Sequence, residues 1–157
     1  MLYRDDDISK YTDLTTIMRI QELFVKYNKI HTVTILMEDL WESRGVWEWL
    51  ISTPNLDIAL HGWNHKDYSE LCYVDTLEEI RKSLTYWERN LERLDLNIPI
   101  KVMYPPWNKS SDKLAMVCDE LGLELNVNVD DKEVFNFHWW EFIGGKNLDK
   151  LEKVLSG

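Results

Sequence analysis

Only two cysteines, Cys72 and Cys118, occur among the 157 residues. Two thiols cannot build the disulfide framework that holds small secreted domains together, and these two lack the spacing of a thiolate metal site. Cys118 lies on the apolar side of an expected helix and reads as a small core residue. Glycine (6 residues) and proline (4) are sparse and never cluster into a linker. Residues 1–157 are therefore read as a single domain, long enough to bury its own core. No apolar run is long enough to span a bilayer, and the opening MLYRDDD has no basic region followed by an apolar stretch. Neither a secretory signal nor a membrane span is expected, which places the chain in the cytoplasm. Positive charge is short as well: 18 Lys and Arg against 28 Asp and Glu give a net charge of −10. That field repels phosphate backbones and anionic lipid, so neither nucleic acid nor a membrane is expected as a partner. A neutral or cationic substrate fits better, although acidity of this size also serves plain solubility.

What the chain does have is a regular alternation of strand-like and helix-like segments. Met1–Arg4 reads as a short strand. Asp13–Asn28 reads as a helix with Leu14, Ile17, Met18, Phe24 and Val25 on one face, capped by Thr12 or Asp13. His31–Met37, rich in β-branched residues, is a second strand, and Arg44–Ser52 is a short helix carrying Trp47 and Leu50. Leu56–Leu60 is a third strand, followed by a loop from His61 to Val74. Thr76 and Glu79 have the spacing of a capping box and open the longest helix, to about Leu94. Its buried stripe is Leu77, Ile80, Leu84, Trp87, Leu91 and Leu94. Ile100–Met103 is a fourth strand, stopped by Pro105 and Pro106. Ser110 or Ser111 caps the next helix, with Leu114, Val117 and Leu121 inward and Gly122 at its end. Leu123–Val129 and Val134–His138 are strands five and six, and Asn147 caps a final helix to Leu155. Such alternation predicts an α/β fold, a parallel sheet with helices outside it, either open and doubly wound or closed as a barrel.

In both architectures the functional groups lie at the carboxyl ends of the strands. Those ends carry Asp5-Asp6-Asp7, Glu38-Asp39, His61 and His65 in HGWNH, Tyr104-Pro105-Pro106-Trp107-Asn108, and His138-Trp139-Trp140. Three of the four histidines in the chain fall there. On a turn of helix, a four-residue spacing puts two imidazoles on one side, where they can share an ion. A carboxylate from the first strand would complete a set of two His and one Asp, leaving a position for water, as catalytic zinc sites do. The remaining carboxylate could take a proton from that water, and His138 could protonate a leaving group. Taken singly, each feature has a plainer reading. The His pair could be a surface accident, the three Asp a solvated turn, His138 a satisfied histidine and Tyr-Pro-Pro-Trp a rigid corner. All four must be coincidental, each at a strand end, for the site to vanish.

In this order, Arg4-x-Asp6-Asp7, His61-Gly62-x-x-His65, Pro105-Pro106-Trp107 and His138 resemble the motifs of the polysaccharide deacetylases, carbohydrate esterase family four or the NodB-homology group. The resemblance spans Arg4 to His138. It implies a distorted (β/α) barrel. Because the chain is shorter than is usual for the group, that barrel would be incomplete or closed by a second copy in a homo-oligomer. It implies a divalent metal, usually zinc, with Asp7, His61 and His65 as ligands. Asp6 corresponds to the general base, His138 to the general acid, and the backbone N–H of Trp107 to the oxyanion donor, with Pro106 and Tyr104 beside it. The sequence departs from the pattern in three places. Tyr104 stands where the family often has an Arg that orients the base, and Arg4 is expected to replace it from the first strand. Gly62 stands where Ser or Thr is common. The Asp- and Trp-bearing motif before the last strand is not recognisable, Asp130 and Asp131 being loose candidates.

The resemblance implies a carbohydrate substrate. Trp63, Trp107, Trp139 and Trp140 at the strand ends, with Tyr68, suit stacking on the apolar faces of sugar rings. About half of those four Trp are expected to be exposed, since Trp is rarely buried whole. Trp47 and Trp87, on helices, belong to the core. Three activities fit: a metal-dependent hydrolase removing an N-acetyl group from an amino sugar or polysaccharide, a glycan-binding module without turnover, and a metal hydrolase of another small amide.

Overall fold

A computed structural model describes residues 1–127 and 132–157. Six strands, β1 (Leu2–Ile8), β2 (His31–Leu36), β3 (Leu56–Gly62), β4 (Val102–Met103), β5 (Glu124–Leu125) and β6 (Val134–His138), pair in parallel in the order β5-β4-β3-β2-β1-β6. The strands from β1 to β5 follow one another in sequence across the sheet, and β6 joins the far side of β1. Right-handed crossovers of that kind keep winding in one direction, the winding of a barrel ring rather than of a doubly wound sheet. Among the described residues the ring is not closed: β5 and β6 form the two edges of the sheet. The α/β reading and the incomplete barrel therefore both hold. Of the expected fifth strand, Glu124 and Leu125 pair with β4. Its far end, and Asp130 and Asp131, lie outside the described residues.

Five helices, α1 (Leu14–Lys26), α2 (Arg44–Ser52), α3 (Tyr73–Glu92), α4 (Asp112–Glu120) and α5 (Leu148–Ser156), connect or follow the strands. Among the described residues no helix is long and apolar enough to cross a membrane. The side chain of Asp13 caps α1 by accepting from the N–H of Thr16, and Ser111 caps α4 by accepting from that of Leu114. The core stripe of α1 is Ile17, Ile20, Gln21 and Phe24, while Met18 and Val25, expected on that face, are exposed. The longest helix begins before the expected capping box. Cys72 is its N-cap, and its sulfur accepts from the N–H of Asp75. Thr76 instead donates its hydroxyl to the Cys72 carbonyl, and Glu79 pairs with Lys66. Ile80, Trp87 and Leu91 are buried as expected, but α3 stops at Glu92 and leaves Leu94 exposed. Trp47 and Trp87 meet at 4.8 Å between ring centres in the core beneath α2 and α3. Asn147 precedes α5 in a left-handed conformation but makes no side-chain cap; its amide donates to the carbonyl of Glu141.

The most consequential difference from the sequence reading is the length of β1, which continues past Arg4 through all three aspartates to Ile8. Four consecutive charged residues in a strand interior would ordinarily be excluded by the cost of burying them. Here every one of the four has an opposite or hydrogen-bonding partner, described next.

Candidate active site

Strand alternation sends neighbouring side chains to opposite faces of the sheet, and β1 uses both. Arg4 and Asp6 share one face. Arg4 Nη2 donates to Asp6 Oδ2 at 2.9 Å, and Asn136 Nδ2, from β6, donates to the same oxygen at 2.7 Å. Thr34 Oγ1, from β2, donates to Asp6 Oδ1 at 2.8 Å. Arg4 is itself held by Asn108 Oδ1 and lies over the Tyr104 ring, 4.7 Å from its centre. Arg4 thus reaches Asp6 from within β1, and Tyr104 is the platform on which the guanidinium rests.

Asp5 points the other way. Its Oδ2 lies 3.3 Å from His31 Nε2, and His31 Nδ1 lies 2.8 Å from Gln21 Oε1. Gln21 donates its Nε2 to the Pro54 carbonyl, which fixes the amide with Oε1 toward His31. His31 therefore donates from Nδ1 and presents a lone pair at Nε2. Burial pushes its pKa down to about 3. Burial, then the neighbouring Asp6 charge, raises that of Asp5 well above the ordinary carboxylate range. The proton between them resides on Asp5, a neutral acid donating to a neutral imidazole.

Asp7 breaks the alternation. Its φ is +67°, and the register of β1 against β2 slips between Asp5 and Ile8. A bulge of this kind re-aims one side chain, and here it turns Asp7 toward His61 of β3 and His65 in the loop that follows it. Trp139 fixes the turn by donating its indole N–H to the Asp7 carbonyl at 3.0 Å. Asp7 Oδ1 lies 3.3 Å from His61 Nε2 and 3.3 Å from His65 Nε2, and Oδ2 lies 3.8 Å from His138 Nε2. The ligand atoms of Asp7, His61 and His65 all fall within 4.8 Å of one another.

His61 and His65 converge without a helical turn. β3 runs on to Gly62, two residues past the expected end, and a bend returns His65. Gly62 has φ +126°, and a Cβ there would come within 2.5 Å of the Tyr68 ring. Tyr68 closes over the glycine; its hydroxyl accepts from the Trp63 N–H at 2.8 Å and donates to the Asn64 carbonyl. The hydrogen bond that a Ser or Thr at position 62 would have made is thus replaced by Tyr68. Gly62→Ala is expected to cost about 1–3 kcal/mol from the backbone alone, plus displacement of Tyr68, and to weaken cation binding in parallel. Urea denaturation and a metal titration on the same sample would check both; a fully stable variant with undiminished affinity contradicts this account of the loop.

The protonation states suit a cation. His61 Nδ1 donates to the Tyr104 carbonyl at 2.6 Å, which leaves Nε2 with a lone pair facing Asp7. Burial lowers the pKa of His65. Burial pushes the Asp7 carboxyl up, but the three histidines around it, His61 foremost, hold it below its ordinary value. A carboxylate with two imidazoles that each turn a ring nitrogen toward it is the donor set a divalent ion takes. Asp7 Oδ1, the oxygen nearest both imidazoles, is buried with no hydrogen-bond donor. An orphaned buried oxygen flanked by two nitrogen lone pairs fits a metal better than it fits an empty core.

His138 Nδ1 lies 3.1 Å from Glu141 Oε1, which also accepts the His138 backbone N–H. The carboxylate fixes the tautomer, so Nε2 is the nitrogen presented toward Asp7. Glu141, Asn136 and Thr34 were not anticipated, Asn108 was read only as part of the segment after the fourth strand, and Tyr68, expected among the sugar-stacking aromatics, is buried over Gly62 instead. The polar Asn136 inside the apolar VFNFH and the His138-x-x-Glu141 spacing were visible signals; the parts of Thr34, Asn108 and Tyr68 depend on contacts across the fold.

The four strand-end indoles divide evenly. Trp107 and Trp140 are exposed, at 59% and 49%, whereas Trp63 and Trp139 are buried. Trp107, in a left-handed turn at φ +54°, packs edge-on to His65 at 4.3 Å, and Trp140 stacks on His138 at 4.8 Å. Each partly accessible histidine thus carries one accessible indole. Trp63 packs instead against Tyr86 of α3, and Pro106 and Tyr104 are buried behind the site.

No protein-family profile and no curated protein sequence matches the chain. Among solved structures it is similar to the peptidoglycan deacetylase PdaC from Bacillus subtilis, with a TM-score of 0.76 and 14% identity over 99% of this chain and 82% of that one. It is similar to a family 4 carbohydrate esterase from Streptomyces lividans in complex with acetate (TM-score 0.73, 11% identity, 99% and 83% covered). It is also similar to BA3943, a CE4 family pseudoenzyme from Bacillus anthracis (TM-score 0.64, 15% identity, 78% of this chain). The chain spans 42% of the BA3943 length, less than half. At these identities the likeness is one of fold.

Proposed function

We propose that this chain, built on the fold it shares with the CE4 carbohydrate esterases, is a metal-dependent hydrolase that removes an N-acetyl group from an amino sugar or its polymer. The observation that carries the reading is the convergence of Asp7, His61 and His65 on one buried, donorless carboxylate oxygen. A divalent cation, zinc by the chemistry of two imidazoles and a carboxylate, would be held by those three side chains. Bound there, the ion supplies a Lewis acid that eases loss of a proton from water and polarises an amide carbonyl.

The chain's own residues handle the protons. Asp6 is the base. Arg4 and Asn136 occupy Oδ2, while Oδ1 has Thr34 as its one donor and keeps a lone pair for the proton of water. Hydroxide adds to the amide carbon, and the backbone N–H of Trp107 donates to the developing oxyanion. His138 gives the proton on Nε2 to the departing nitrogen as the C–N bond breaks, and Glu141 steadies the imidazolium that precedes it. Trp107 and Trp140 supply apolar faces for the sugar on either side of the cleft.

Glycan binding without turnover is the alternative, prompted by the pseudoenzyme likeness and by Tyr104 in place of Arg. The Arg4–Asp6 contact weighs against it, because the base retains its guanidinium. The test is acetate release from N-acetylglucosamine oligomers by protein of measured metal content. One equivalent of zinc is expected, with release stopped by a chelator and restored by zinc. Fully loaded protein that releases nothing from any N-acetylated sugar overturns the enzyme reading; release from small acylated amides alone moves the substrate to that class.

A further inference from the structure

A second concavity, of about 650 Å³, lies between α3 and the turn at Leu40–Glu42. That volume is within the ~300–1,000 Å³ of small-molecule sites. On α3 and at its C-cap, Lys82, Tyr86, Arg89 and Arg93 follow one another at intervals of four, three and four residues and so share one face. Trp41 and Trp63 form the facing wall. Lys82 Nζ sits 3.7 Å from the centre of the Trp63 ring, and Trp63 meets Tyr86 edge-on at 5.4 Å. The Tyr86 hydroxyl accepts from the Trp41 N–H at 3.0 Å, which leaves its own proton free to donate outward.

The cations are under-used. The chain has 28 Asp and Glu, yet among the described residues Lys82 and Arg89 are in no ion pair, and Arg93 is held only by the side chain of Asn90. Glu42 and Glu78 lie in the same groove and are likewise in no ion pair. Unpaired donors and acceptors of nearly balanced charge, interleaved with three aromatic rings, match a ligand that is neutral, rich in hydroxyls and apolar on its ring faces. Trp63 also lies in sequence between His61 and His65, so the wall of this groove and the candidate metal site belong to one loop.

We propose that this groove is a second saccharide-binding site, which holds a stretch of glycan on α3 apart from the residues around Asp7. The choice of a saccharide rests on the carbohydrate reading above. The half-buried Trp41 indole offers a face to a sugar ring, Trp63 backs the groove beneath Lys82, and Lys82, Arg89 and the Tyr86 hydroxyl donate to ring hydroxyls.

The probe is chitotetraose, titrated by NMR into zinc-loaded protein carrying Asp6→Asn to suppress turnover, with the indole N–H signals followed. Signals of Trp41 and Trp63 are expected to shift saturably. Lys82→Ala/Arg89→Ala, both exposed positions, is expected to weaken that response by about tenfold, as for two lost hydrogen bonds. The same double variant in otherwise wild-type protein is expected to release acetate from an N-acetylglucosamine dimer at the unaltered rate. Shifts confined to Trp107 and Trp140, or a response at Trp41 and Trp63 that survives the double variant, overturn the second site. Acetate release by wild-type protein is read separately: release without these shifts sinks only the groove, and shifts without release sink only the enzyme.

Discussion

Asp6→Asn is expected to lower the rate of acetate release by about 10²–10⁴-fold, the usual worth of a general base, while zinc content stays at the wild-type value. The two readouts separate because Asp6 and Asp7 serve different partners although they are adjacent. Asp7 faces the imidazoles, whereas Asp6 is held by Arg4, Thr34 and Asn136. Asparagine preserves the shape and one acceptor but cannot take a proton. Asp7→Ala is expected to give the other pattern, loss of both metal and turnover, since it removes the only carboxylate of the cluster. If Asp6→Asn empties the metal site, or if turnover persists within a few-fold of wild type, Asp6 is not the base. The Arg4 contact predicts a milder companion effect: Arg4→Met should cost turnover through a misdirected Asp6 and stability through a lost buried ion pair.

The second large effect concerns the buried acid on the opposite face of β1. In the unfolded chain Asp5 titrates near ~3.9 and His31 near ~6.5. Between those values the unfolded pair carries one proton, on His31, and the folded pair also carries one, on Asp5. For as long as folded Asp5 keeps that proton, the contribution of the pair to stability is flat between those values. Once the unfolded His31 gives up its proton, a fold that still holds one on Asp5 binds one proton more than the unfolded chain. Stability then falls as pH rises, by up to ~1.4 kcal/mol per pH unit, until Asp5 ionises in the fold. Asp5→Asn can donate the same hydrogen bond to His31 Nε2 but has no proton to lose. Its alkaline decline vanishes, and an acid decline takes its place. Below ~6.5 the unfolded His31 of the variant gains a proton that the folded one, at about 3, refuses. From pH 5 to pH 8.5 the difference between the urea midpoints of the two proteins should therefore move in favour of the variant. Parallel curves would mean that the proton does not sit on Asp5.

These cases show where sequence reasoning worked and where it stopped. Helix faces and strand positions were readable because apolar periodicity is local, and β6 was placed residue for residue at Val134–His138. The grouping of Asp6, Asp7, His61, His65, Trp107 and His138 was readable because a parallel α/β chain delivers each strand end to the same rim. The end of β1 was misplaced because four charges in a row look like a turn to any local rule. Their partners, His31, Thr34, Asn136, His61 and His65, are 26 to 132 positions away in sequence and are brought beside them only by the sheet. The separate faces of Asp5 and Asp6 follow from strand alternation once the strand is known to continue.

The sequence by itself determined the α/β alternation and the set of residues that meet at the strand ends; that position 62 needs a glycine was decided by the packing of Tyr68. The tertiary structure alone decided the division of labour within Asp5-Asp6-Asp7, the rotation of Asp7 by a bulge, which indoles face the cleft and the opening of the ring between β5 and β6. The reason is physical: propensity and periodicity act over a few residues, whereas the protonation and direction of a carboxylate are set by whichever distant groups the fold packs around it.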